Sequence, residues 1–168
     1  MRYRPFRIVL CCFVLLLPAT ASVAGQNPIE DRSNHQMNTG VGLYGTGNLD
    51  AAIAAFRDAI STWPKNALAY FNLGAALVDK GDSTGAMKAY EQAIALMEAP
   101  PPPGAPAIRH HAVNVTLAES LNNLAVIYYQ QNRLDDAFAR VNHCIEQFPD
   151  HSGCLLTRGE PVALVSLA

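Results

Sequence analysis

The chain has 168 residues, half of them hydrophobic, with 12 basic and 14 acidic side chains and a formal net charge of −2. That length can bury one helical core and leaves no room for two large domains. Outside the first few residues there is no basic cluster, which excludes phosphate-driven binding of nucleic acid.

Residues 1–24 read as an export leader. Arg2, Arg4 and Arg7 precede an uninterrupted apolar run at 8–17, and Ser22-Val23-Ala24 supplies the small-x-small pattern cut by signal peptidase. Ten apolar residues fall short of the roughly 20 that span a bilayer, so cleavage is favoured over an uncleaved membrane anchor. Cys11 and Cys12 lie inside the segment rather than at its end, where lipidation would need a cysteine. Cleavage removes three arginines and leaves nine basic against fourteen acidic residues, a formal net of −5.

Residues 25–32 are polar and read as a tether, with Ser33 and Gln36 as a capping box that starts the first helix. Gly40, Gly42, Gly45 and Gly47 predict that this helix is frayed or forms late, since each glycine costs about 1 kcal/mol relative to alanine inside a helix. Asn48 caps a strong amphipathic helix over 49–63. Over 67–97, Tyr70, Leu73 and Leu77 share one helical face, and Ala86, Tyr90, Ala93, Ile94 and Met97 share another beyond the turn Lys80-Gly81-Asp82. Proline-rich residues 100–106 stop any helix, because proline lacks the backbone donor, and a stiff spacer is favoured over a ligand for a proline-binding domain. Residues 107–116 extend the following helix backwards. Leu134-Asp135-Asp136-Ala137 opens its partner, residues 153–159 begin one more helix, and Pro161 stops it ahead of an apolar tail.

The order Tyr70, Leu73-Gly74, Leu77, Ala86, Tyr90 resembles the tetratricopeptide repeat. Shifted back by that family's period of about 34 residues, it falls on Gly40, Ala52 and Phe56, followed by Ala59 and Pro64. It recurs at Leu121, Leu124-Ala125, Tyr128, Ala137, Val141, Cys144 and Pro149, with 51 residues separating both Gly74 from Ala125 and Ala86 from Ala137. The resemblance implies an all-α, right-handed superhelical solenoid of helix-turn-helix repeats at 33–66, 67–100 and 118–151. A proline-rich insertion and helix extension at 101–117 separates the last two. An incomplete fourth repeat with its apolar tail fills 152–168, where solenoids ordinarily end in a polar-faced helix.

Catalytic constellations are thin, and no nucleophile-base pair can be named. His110 and His111 point about 100° apart on a helix and cannot chelate one metal from one face. His143 and His151 flank Cys144 and Cys154 at a spacing that fits no zinc signature, so burial or a Cys144–Cys154 disulfide is favoured over a metal. An oxidising compartment and two cysteines left after cleavage support the disulfide. No phosphate loop, haem-attachment motif or nucleophile elbow appears, so neither a cofactor nor an enzyme is expected.

What remains is a surface. The resemblance implies a concave groove lined by each repeat's first helix, binding a peptide or partner protein. Its candidate residues are Tyr44, Leu68, Phe71, Asp79, Glu119, Asn122, Tyr129 and Gln130, with Met37, Val41, Ala75, Val78 and Val126 beside them. Some members clamp a carboxylate with lysines and asparagines here; Asn72 matches one such position, but Met37 and Glu119 stand at the lysine positions, so a clamp is not supported. The expected role is an exported binding module, periplasmic or secreted, serving envelope assembly or secretion. Membrane contact follows only if the leader stays uncleaved. A second class is a structural subunit that self-associates through its apolar C-terminal tail.

Overall fold

The computed structural model describes residues 27–100 and 109–159. The leader, the proline run at 101–108 and the apolar tail from 160 onward lie outside the described residues. Those described form seven helices: α1 Pro28–Gly45, α2 Leu49–Thr62, α3 Ala67–Asp79, α4 Ser83–Glu98, α5 Arg109–Gln130, α6 Leu134–Gln147 and α7 Ser152–Gly159.

Three tight turns join α1 to α2, α3 to α4, and α5 to α6. Each turn holds one residue at positive φ: Gly47 at 76°, Gly81 at 83° and Asn132 at 59°. Asparagine reaches this left-handed region at less cost than other side chains, so it can replace glycine in the third turn. The backbone bonds repeat as well. Asn48, Asp82 and Arg133 donate their amides to the carbonyls of Leu43, Leu77 and Tyr128 at 3.0, 2.8 and 2.9 Å. Asn48 and Asp82 then cap α2 and α4 through their side chains, whereas Arg133 makes no side-chain cap to α6.

Within each pair the two helices touch where one carries a very small residue and the other a larger one. A Cβ added at Gly40 would lie 2.6 Å from the Phe56 ring, and one at Gly74 would lie 2.8 Å from Tyr90. The third repeat has Ala125 in that position and Val141 opposite, both buried. The extra methyl on one helix is matched by a smaller side chain on the other, as close packing requires.

The helix α1 departs from expectation. It starts at Pro28, inside the stretch read as a tether, and Ser33 lies in its interior rather than at its cap. Asn27 is the N-cap, accepting from the Ile29 amide at 3.1 Å. Pro28 occupies a first-turn position where a missing donor does no harm, and Glu30 and Asp31 place negative charge at the positive end of the helix. Nor is α1 broken at its glycines. Gly40 is a packing requirement, and the helix is held along its length against α2. Tertiary packing outweighs a propensity deficit of a few kcal/mol, as it does in most protein helices.

Consecutive pairs stack through α2 on α3, α4 on α5 and α6 on α7, while the first helices α1, α3, α5 and α7 meet side by side. The core runs continuously between the two rows, from Met37, Phe56 and Leu73 through Tyr90, Leu121 and Leu124 to Cys144 and Cys154. This is an all-α stack of helix-turn-helix units.

Candidate functional site

The expected groove residues are carried by the first helices α1, α3 and α5, which lie against one another in sequence order. Tyr44, Phe71 and Tyr129 are each partly buried and packed on the core. Around them Val41, Leu68 and Val78 leave 44, 38 and 41 % of their surface exposed on the same helices. Phe71 also packs on Tyr90, ring centroids 6.0 Å apart and tilted by 56°. Asp79, Glu119 and Gln130 are exposed. Asn122 is half-buried and already engaged, because its side-chain oxygen accepts from the Thr157 hydroxyl on α7.

Polar ties cross from repeat to repeat beside this strip. The Tyr44 hydroxyl on α1 donates to the Asp79 carboxylate at the end of α3. That bond, then burial and the carboxylate's charge, push the Tyr44 phenol up to about 12. Tyr90 on α4 accepts from Asn123 on α5 at 3.2 Å. Burial drives its phenol up to about 12 against the lowering effect of Asn123, with Tyr44, Asp79 and Glu119 adding to the rise. Tyr128 on α5 donates back to Glu91 on α4 at 3.0 Å, and burial and that bond raise its pKa too. The phenols therefore stay protonated, Tyr44 and Tyr128 as donors and Tyr90 as the acceptor from Asn123.

The junctions between repeats hold residues that sequence reasoning passed over. Asn66 is buried at the start of α3, where its oxygen accepts from the Ala69 amide at 3.1 Å. Its amide nitrogen donates to Ser33 Oγ at 2.9 Å and to Asn34 at 3.1 Å, and Ser33 donates to the Ala59 carbonyl at 2.8 Å. One asparagine thus caps α3 and ties it to α1 and, through Ser33, to α2. Its isolation between Lys65 and Ala67, ahead of an apolar run, was the available signal.

The α6–α7 junction has the same backbone. Phe148 donates to Cys144, His151 to Phe148 and Leu155 to His151, matching Trp63 to Ala59, Asn66 to Trp63 and Tyr70 to Asn66, each 85 residues earlier. Here Cys144 and Cys154 are fully buried and joined in a disulfide, α carbons 6.1 Å apart. Their sulfurs lie 3.7 and 3.8 Å from the Ala118 carbonyl oxygen, and His151 Nδ1 lies 3.5 Å from Cys154 Sγ. His143 is elsewhere, facing Glu98 of α4 at 3.2 Å.

Sequence profiles described as tetratricopeptide repeat match residues 38–106 and 117–141, together more than half of the chain. No curated protein sequence matches it. Among solved structures, the N-terminal domain of stress-induced protein-1 from C. elegans superposes with a TM-score of 0.66 at 16% identity, covering 79% of this chain and 97% of that one. The Arabidopsis OM64 TPR domain gives 0.62 at 14% identity, over 83% and 99% of the two chains. The first TPR of Spaghetti (RPAP3), solved with the HSP90 peptide SRMEEVD, gives 0.62 at 14% identity, over 82% and 94%. At these identities the likeness is one of fold.

Proposed function

This chain belongs to the tetratricopeptide repeat family, and on that footing we propose that it is an exported binding module whose groove takes an apolar peptide carrying a lysine or arginine. Tetratricopeptide scaffolds are interaction modules without catalysis. The observation that supports the groove is the strip of Tyr44, Phe71 and Tyr129 on three adjacent first helices, bordered by exposed Val41, Leu68 and Val78. Aromatic groups give large contact area at little rotamer entropy and dominate binding hot spots, and clustered exposed apolar surface marks interaction sites.

Charge supports the kind of ligand. Asp79 and Glu119 border the strip, and Met37 and Glu119 stand where carboxylate-clamping members carry lysine. The peptide in the RPAP3 structure contains two adjacent glutamates; an acidic segment of that sort would meet repulsion here. Asp79 already accepts from Tyr44, and a carboxylate keeps further lone pairs for an incoming cation.

The experiment is capture of a partner from envelope extract with the mature chain, followed by calorimetry of groove variants. Phe71→Ala and Tyr129→Ala are expected to weaken binding by about 2 kcal/mol each with helicity intact. Parental affinity in both variants removes the groove from the proposal. Export rests on the leader, and mass spectrometry of the native protein should find its N-terminus near Gly25. An intact Met1 would favour the membrane-anchored form instead. Light scattering of the ligand-free mature chain separates an adaptor, which stays monomeric, from a self-associating subunit.

A further inference from the structure

We propose that, once its disulfide is reduced, the α6–α7 junction is a zinc-class metal site in which Cys144 and Cys154 bind as thiolates and His151 binds through Nδ1. The ligand atoms of the three residues all lie within 4.8 Å of one another. Zinc–sulfur bonds of about 2.3 Å and zinc–nitrogen bonds of about 2.0–2.1 Å in a tetrahedron set a sulfur-to-nitrogen edge of roughly 3.6 Å. His151 Nδ1 and Cys154 Sγ already stand 3.5 Å apart. The same bond lengths set a sulfur-to-sulfur edge of roughly 3.8 Å, and α carbons 6.1 Å apart leave room for that separation.

The internal repeat supplies an independent argument. Positions 85 residues earlier hold Ala59, Asn66 and Ala69, in a junction with the same backbone hydrogen bonds. The fold there needs two small buried residues and a capping amide; it needs neither sulfur nor imidazole. At the last junction all three positions change to metal-ligand types and converge on one point. The linear order Cys-x6-His-x2-Cys hides this, because its ligands meet only when α7 folds back on α6.

The chemistry balances with a thiol reductant. Two exchange steps break the Cys144–Cys154 bond, leave both cysteines as thiols and convert two reductant thiols into one disulfide. Metal uptake then releases two thiol protons to solvent, forms two metal–sulfur bonds and one metal–nitrogen bond, and leaves one position to water. Soft thiolates with one imidazole suit a d10 ion such as zinc. Disulfide and metal are alternative clips for α7, one for an oxidising compartment and one for a reducing compartment. The site stands on its own whether or not the groove binds a peptide.

The test uses the full chain with Cys11→Ser and Cys12→Ser, so that two thiols remain. After reduction by a phosphine and anaerobic desalting, it is titrated with Co2+ and then with Zn2+. The expected result is one Co2+ per chain with thiolate-to-cobalt charge-transfer and tetrahedral d–d bands, displaced by Zn2+, while the oxidised chain binds neither. His151→Ala keeps both thiols and should lose at least tenfold in affinity, whereas His143→Ala should bind as the parent does. Three results overturn the proposal: no charge-transfer band in the reduced parent, parental affinity in His151→Ala, or unchanged zinc uptake by Cys144→Ser/Cys154→Ser. Loss of helicity on reduction that zinc does not restore overturns it as well.

Discussion

Repeat one and repeat three share a backbone and differ at nearly every side chain that secures it. In the first, Gly40 faces Phe56, Gly47 takes the left-handed turn, Asn48 caps α2 and Asn66 ties the next repeat through Ser33. In the third, the same places hold Ala125 and Val141, Asn132, an Arg133 that makes no side-chain cap, and a disulfide beside His151. Arg133 instead stacks over the Tyr128 ring at 4.4 Å and pairs with Asp136 at 2.7 Å. The lesson is that the repeat specifies volumes and hydrogen-bonding positions, and that several residue sets fill them.

The junctions offer the largest contrast. Removing the disulfide with Cys144→Ala/Cys154→Ala should cost about 3 kcal/mol, from the closed loop's lost entropy. Asn66→Ala should cost about 2–4 kcal/mol, combining a lost cap with a buried hydroxyl deprived of its donor. Chemical denaturation with and without reductant, in the presence of a chelator, separates them. The cysteine effect should vanish under reduction, and the Asn66 effect should not. Equal behaviour of the two variants would mean that the junctions are held by one means after all.

The helix crossings come next. Gly74→Ala should destabilise by about 1–3 kcal/mol, because the new methyl meets the Tyr90 ring. Combining it with Tyr90→Val, the pairing found in repeat three, should recover part of that loss. Thermal melts in which Gly74→Ala is silent would break the comparison.

The last effect is confined to high pH. The Tyr44 and Tyr90 phenols are raised to about 12, from an ordinary value of 10.0. Their neutral forms are favoured by folding, so this contribution is complete below pH 10 and is lost as pH rises from 10 to 12. Repeat three has Val141 in the place of Tyr90, so Tyr90→Phe should flatten the decline. Stability measured across pH 9–12 checks this, and an unchanged slope in Tyr90→Phe would assign the loss to other groups.

The repeat itself was legible because its period reflects one packing unit. Small and large residues alternate where helices cross, and that alternation survives in sequence even when Gly and Phe become Ala and Val. What escaped notice is long-range. The glycines of α1 argue locally for a frayed helix, and the Phe56 ring and the Asn66–Ser33 tie that hold it lie many residues away. Asn122 looked like a free groove residue until α7 placed Thr157 against it. His151 stood apart from every zinc spacing, yet aligning it with Asn66 puts it at a junction.

A stack of repeats behaves as a one-dimensional array, in which opening starts at the ends and travels inward. The covalent link from α6 to α7 closes one of those ends in the oxidised chain. Fraying must then enter from the side of α1, crossing the Asn66–Ser33 tie before it reaches α3. Amide exchange would run as a gradient along the chain, fastest in α1 and slowest beyond α4. Cutting the link would raise exchange in α7 and α6 and leave the α1 side unchanged. One sulfur–sulfur bond thus sets the back of the array apart from its front.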